Sequence, residues 1–229
     1  MAFSNVIDYR NTHRLIPTEY SGEGVLETLA LPSGVIADLS ELDAATNERI
    51  RAERGQSLTI GVGEILQGVP EYRIVNAAFA YAGNGSRFND NRRGAWYAGV
   101  ELETSLAEVA FHKRRFLRDS RFTEKATYEY RDFLADFAGE FSHLEEAEKT
   151  ACLKPEPVPE CYGPGQGLAK MLLYSGSNGI VYPSVRNLGG TCIVCFRPAM
   201  VGYPRRNHRY RLTISSDVDW KANNAERVD

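Results

Sequence analysis

Apolar positions along the chain keep two different periods. Over residues 39–53, Leu39, Leu42, Ala45 and Ile50 form a helical stripe, Ser40 with Asp43 resembles a capping pair, and Gly55 supplies a stop. The spacing predicts a helix inside a proline-punctuated opening. Residues 1–69 therefore read as an N-terminal helical extension or cap, either packed on a main domain or filling out its core. From residue 71 the elements shorten. Residues 72–79 mix strand formers with alternation and predict a strand, followed by the Gly83-Asn-Gly85 turn signal. Residues 95–100 predict another strand, after which Leu106, Val109, Ala110 and Lys113 return to helical spacing over about 105–117.

The remainder keeps the same short rhythm. Aromatics alternate with charges over residues 126–141, which predicts one or two half-buried strands. Pro155, Pro157, Pro159 and Pro164 mark a loop, and a helix over 166–174 follows it. Strands are predicted over 179–184, 191–196 and 210–214, with a Gly189-Gly190 turn between the first two. Strands outnumber helices and hairpins dominate, so the fold class is α+β. Residues 70–215 form the main domain, and 216–229 read as a frayed polar tail.

Composition narrows the function. In 229 residues, 27 Lys and Arg face 30 Asp and Glu, for a formal charge of -3. A protein whose whole surface serves nucleic acid is excluded, while a local basic pocket for a phosphorylated small molecule is not. No stretch approaches the ~18 apolar residues of a membrane span, and the first residues lack a basic segment followed by an apolar run. The expectation is a soluble, cytoplasmic protein with no membrane partner. Cys192 and Cys195 lie in a strand-like stretch, where residues three apart point to opposite faces. With Cys152 and Cys161 they read as structural thiols, and no metal site is expected.

Four short stretches hold polar residues that a bland core does not demand. They are Glu71-Tyr-Arg-Ile-Val75, Gly85-Ser-Arg-Phe-Asn89, Trp96-Tyr-Ala98 running on to Ser105-Leu-Ala-Glu108, and Tyr182-Pro-Ser-Val-Arg186. In this order they resemble the RES-domain family over roughly residues 71–200. The resemblance implies an ADP-ribosyltransferase-like fold, with twisted, mostly antiparallel sheets around a cleft and flanking helices. It also implies a toxin of a toxin–antitoxin pair that depletes NAD by hydrolysis or phosphorolysis, with a cognate antitoxin as partner. NAD, and phosphate where phosphorolysis applies, are then substrates, and no cofactor is expected.

The chemistry explains the residue types. Breaking the nicotinamide–ribose bond builds positive charge at the anomeric carbon, which a carboxylate beside the sugar stabilises, and Glu108 is the candidate. Arginine pairs bidentately with pyrophosphate oxygens, a role suited to Arg87 beside the two turn glycines and, by the resemblance, to Arg73. Tyr97 is placed to meet the nicotinamide end, and Ser184 to fix a ribose or amide group.

Each residue also has an ordinary explanation. Glu108 lies three after Ser105 and could close a capping box, Arg87 could pair with Asp90, Tyr97 could fill a strand, and Ser184 could satisfy a backbone group. Gly163-Pro-Gly-Gln-Gly167 contains proline, lacks lysine and follows no strand, so it reads as a helix-entry loop rather than a phosphate cradle. His112 reads as a helix-surface residue. The basic runs 112–115 and 205–209 read as solvated faces. Two other functions stay open: a protein ADP-ribosyltransferase with NAD as donor, and a non-enzymatic nucleic-acid or protein-binding module.

Overall fold

The computed structural model describes residues 2–22, 47–218, 221 and 224–229. Seven strands form one mixed sheet: β1 (Phe3–Pro17), β2 (Trp96–Gly99), β3 (Ala126–His143), β4 (Gly179–Pro183), β5 (Thr191–Cys195), β6 (Gly202–Ile214) and β7 (Ala225–Arg227). Their order is β1-β2-β5-β4-β3-β6-β7, and β1 also pairs with β3. That second pairing closes β1, β2, β5, β4 and β3 into a ring. Every pairing is antiparallel except β3 with β4. The α+β expectation holds.

β3 is the spine because its two faces are apolar against different partners. Phe133, Ala135, Phe137 and Phe141 keep the period of two and are fully buried in one core cluster with Val75 and Phe79. Each such side chain contributes roughly 1.5–3 kcal/mol on burial. Tyr130 turns to the opposite face, where it meets Leu15, Leu106, Ala110 and Leu212. A third cluster joins Phe88 and Ala169 to Ile180, Cys192 and Val194.

Five α-helices flank the sheet among the described residues: α1 (Glu48–Glu53), α2 (Tyr72–Ala80), α3 (Leu102–Asp119), α4 (Glu146–Cys152) and α5 (Gly163–Tyr174). The predicted helix over 39–53 is seen in its last part, α1, which Asn47 caps by accepting from the Ile50 N–H at 3.2 Å. Leu39, Ser40, Leu42, Asp43 and Ala45 lie outside the described residues.

Three expectations change. Residues 3–17 are a strand of the central sheet, not part of a helical cap, and their register with β3 runs from Phe3 opposite His143 to Pro17 opposite Tyr130. Residues 72–79 are helical: Val75, Asn76, Phe79 and Ala80 are the buried positions, a spacing that fits one face of a helix. Asn76 secures that helix by donating to Leu66 O and Glu53 Oε1 and accepting from Leu66 N. The tail is not wholly frayed either, since β7 pairs with β6 and the Asp229 carboxylate accepts from Arg131 and from the Arg209 N–H. The 126–141 stretch forms one long strand.

Candidate functional site

The cleft is built where β2 runs into α3. Gly99 ends β2, and the Ser105 hydroxyl accepts from its N–H at 2.9 Å while donating to His13 O at 2.6 Å, so one side chain ties β1, β2 and α3 together. Glu101 adds a second tie, accepting from Thr104 Oγ1 at 2.7 Å and from Thr191 N at 3.0 Å on β5. α3 thus begins at Leu102, earlier than the spacing predicts, and Glu108 stands two turns into it. The Ser105–Glu108 capping box does not form.

Tyr97 points from β2 to the turn that carries Arg87. Its hydroxyl accepts from Phe88 N at 3.0 Å and donates to Asn89 Oδ1 at 2.9 Å. Burial pushes this phenol far above its ordinary value, so it remains a protonated donor. The turn itself needs Gly83 and Gly85, both at positive φ. Arg87 is buried, donating through Nη1 to Cys152 O at 2.7 Å and Lys154 O at 3.0 Å, and its guanidinium lies 5.1 Å from the Tyr162 ring centre. It does not pair with Asp90, which takes Arg92 instead. α5 starts hard against this turn: a Cβ on Gly165 would sit 2.3 Å from Arg87 O. The 163–167 stretch is accordingly the first turn of α5.

Glu108 faces the same hollow. Its Oε1 accepts from the Ser184 hydroxyl at 2.8 Å, and Ser184 Oγ in turn accepts from the N–H groups of Arg186 and Asn187. Arg87, Tyr97 and Glu108 all line one cleft of about 310 Å³, a size within the roughly 300–1,000 Å³ of small-molecule sites. Ser184 reaches it through Glu108. Arg73 does not reach it. On α2 its Nε donates to the Tyr72 hydroxyl at 3.2 Å, with the guanidinium 5.6 Å from that ring, because the segment is helical rather than extended.

The second arginine of the cleft is Arg14, on β1. It donates through Nη1 to Tyr97 O at 3.2 Å and stacks 4.7 Å over Trp96, and its Nε is buried with no acceptor among the described residues. Burial lowers its pKa to about 10, so it stays charged at neutral pH. Reading residues 1–69 as an extension concealed it. The run of β-branched and apolar residues around it, Thr12, Leu15 and Ile16, is the strand signal that would have exposed it. Lys113 lines the same cleft, 4.6 Å over Tyr128.

His112 lines the cleft as well, rather than a plain helix surface. It is open to solvent yet stands in a crowded concavity; desolvation first, then the charges of Arg186, Arg115 and Arg87, push its pKa down to about 4. The ring is neutral at physiological pH. By contrast the basic cluster on β6 is paired: Arg205 with Asp136, Arg206 with Glu71, Arg209 with Asp229. All four cysteines are buried thiols, and Cys192 and Cys195 do face opposite core clusters. Among the described residues no three His, Cys, Asp or Glu side chains converge as metal ligands, and no helix is long and apolar enough to cross a membrane.

A family model described as RES domain matches residues 65–215. Among solved structures, the chain is similar to one in the crystal structure of the M. tuberculosis MbcT-MbcA toxin-antitoxin complex, at 9% identity and TM-score 0.41, covering 92% of this chain and 87% of that one. No curated protein matches.

Proposed function

The chain belongs to the RES-domain family, and on that premise we propose that it is the toxin of a toxin–antitoxin pair and cleaves the nicotinamide–ribose bond of NAD. The observation that carries this reading is the meeting of one carboxylate, Glu108, with two arginines that have no carboxylate partner among the described residues, Arg14 and Arg87, around a single cleft. A dinucleotide asks for that combination. Its pyrophosphate carries two negative charges for the guanidinium groups, and its reacting sugar develops positive charge for the acid.

In the reaction the C–N bond between ribose and nicotinamide breaks, and its electron pair leaves on the nicotinamide nitrogen, which becomes neutral. Glu108 stabilises the oxocarbenium-like sugar and orients a ribose hydroxyl or the incoming nucleophile. Water as acceptor gives ADP-ribose and a proton, while phosphate gives the 1″-phosphate of ADP-ribose. Tyr97 holds the turn that positions Arg87. A cognate antitoxin that occludes the cleft is the partner expected for the family.

The test is to mix the purified protein with NAD alone, and with NAD plus inorganic phosphate, and to follow free nicotinamide. Release without a protein acceptor supports the reading, and the product formed with phosphate present identifies the acceptor. Release only when another protein is present, with ADP-ribose attached to it, would make the chain a protein-modifying transferase. An inert NAD pool under all conditions would end the proposal.

A further inference from the structure

Glu108 is held by one oxygen only. Oε1 accepts from Ser184 Oγ at 2.8 Å and faces Cys192 Sγ at 3.8 Å, a distance within the reach of an S–H donor, whereas Oε2 has no protein partner among the described residues. The two donors come from different supports. Ser184 sits in the turn after β4, braced by the N–H groups of Arg186 and Asn187. Cys192 lies on β5, paired on one side with Gly99 of β2 and on the other with Tyr182 of β4, and is buried. Its sulfur is therefore carried by a strand paired on both sides. Packing alone does not call for a thiol here, since the neighbouring side chains Ile180, Tyr182 and Val194 would accept an aliphatic residue of the same volume.

We propose that Cys192 is a positioning residue for Glu108: its S–H, together with the Ser184 hydroxyl, pins Oε1 so that Oε2 is presented to the ribose of NAD. The inference rests on the NAD-cleaving reading above. A thiol suits the task because it is a weak donor. It fixes the direction of the carboxylate while withdrawing little of the negative charge that the oxocarbenium-like state needs. Burial first, and then the charge of Glu108, push the thiol well above its ordinary value, so the sulfur keeps its proton.

Three variants separate donation from packing. Cys192→Val fills the volume without a donor, Cys192→Ala removes both, and Cys192→Ser keeps a donor. In nicotinamide-release assays the valine and alanine variants are expected to lose about 5-fold in kcat with KM within about twofold of the parent. The serine variant recovers most of kcat. A valine variant with parental kcat overturns the role.

A second measurement does not depend on NAD. Alkylation of Cys192 by iodoacetamide, followed at that peptide by mass spectrometry, is expected to be faster in Glu108→Gln than in the parent, because the neighbouring negative charge is gone. Equal rates overturn the contact itself. A parent that releases no nicotinamide overturns the functional reading and the catalytic half of this inference, whereas the alkylation rates still judge the contact.

Discussion

Along β6, Arg205, Arg206, Arg209 and Arg211 each lie within ion-pair distance of a carboxylate, at 3.3, 2.7, 3.6 and 2.9 Å, whereas Arg14 and Arg87 at the cleft meet, among the described residues, only carbonyl oxygens and aromatic rings. The same side chain thus serves two ends. On the strand each positive charge is neutralised in place, in partly exposed pairs that contribute about 0–1 kcal/mol each. In the cleft the guanidinium groups are oriented but not neutralised, because a carbonyl accepts a hydrogen bond without cancelling a unit charge. A phosphate arriving at β6 would have to displace a carboxylate; one arriving at the cleft would meet charge already desolvated and aimed. Local sequence does not separate the two, since both regions look basic.

The largest effect should come from the one acid among these cations. Glu108→Gln is nearly isosteric but uncharged, and is expected to lower nicotinamide release by at least about 100-fold with the thermal midpoint little changed. A variant that consumes NAD at the parent rate removes Glu108 from the chemistry. The next effect tests the comparison directly. Arg87→Lys and Arg14→Gln should each raise KM for NAD by about 10-fold with a smaller change in kcat, because an ammonium loses the bidentate fork and an amide loses the charge. The paired control, Arg209→Gln with Arg211→Gln on β6, should leave KM within about twofold. If the β6 pair raised KM as much as the cleft variants, the distinction between neutralised and free arginines would collapse.

The smallest effect is in stability. His112 has its pKa lowered to about 4 in the fold, against about 6.5 when unfolded. Between those values the unfolded chain binds a proton that the fold refuses, so stability falls as pH drops through that window and is unaffected by this group above it. Thermal midpoints measured from pH 7 to pH 4 should therefore decline less steeply for His112→Gln than for the parent. Parallel curves would mean that the cleft does not disfavour a charged imidazole, and that its cations are more exposed than the comparison requires. The carboxylates whose pKa values are lowered, such as Glu64 beside Arg93, lose their contribution only at more acidic pH, as they protonate.

The chain order Arg87, Tyr97, Glu108 and Ser184 was readable before any coordinates, because each residue sits in a short element whose own turn, strand or helix signal is local. The opposite facing of Cys192 and Cys195 followed from the period of a strand, and the α+β class from the count of short elements. Arg14 and Arg73 mark the limit. Arg14 reaches the cleft only because β1 pairs with both β2 and β3, which brings it to Tyr97 across 83 positions of sequence. Arg73 misses the cleft because residues 72–80, ambiguous between strand and helix as a short apolar run, coil under the pull of Val75 and Phe79 toward the core. The sequence alone determined the order of the motifs, the residue types they bring and the α+β class. Only the tertiary structure decided which elements meet, since strand pairing and core burial are settled by partners far away in the chain, and no local pattern encodes their identity.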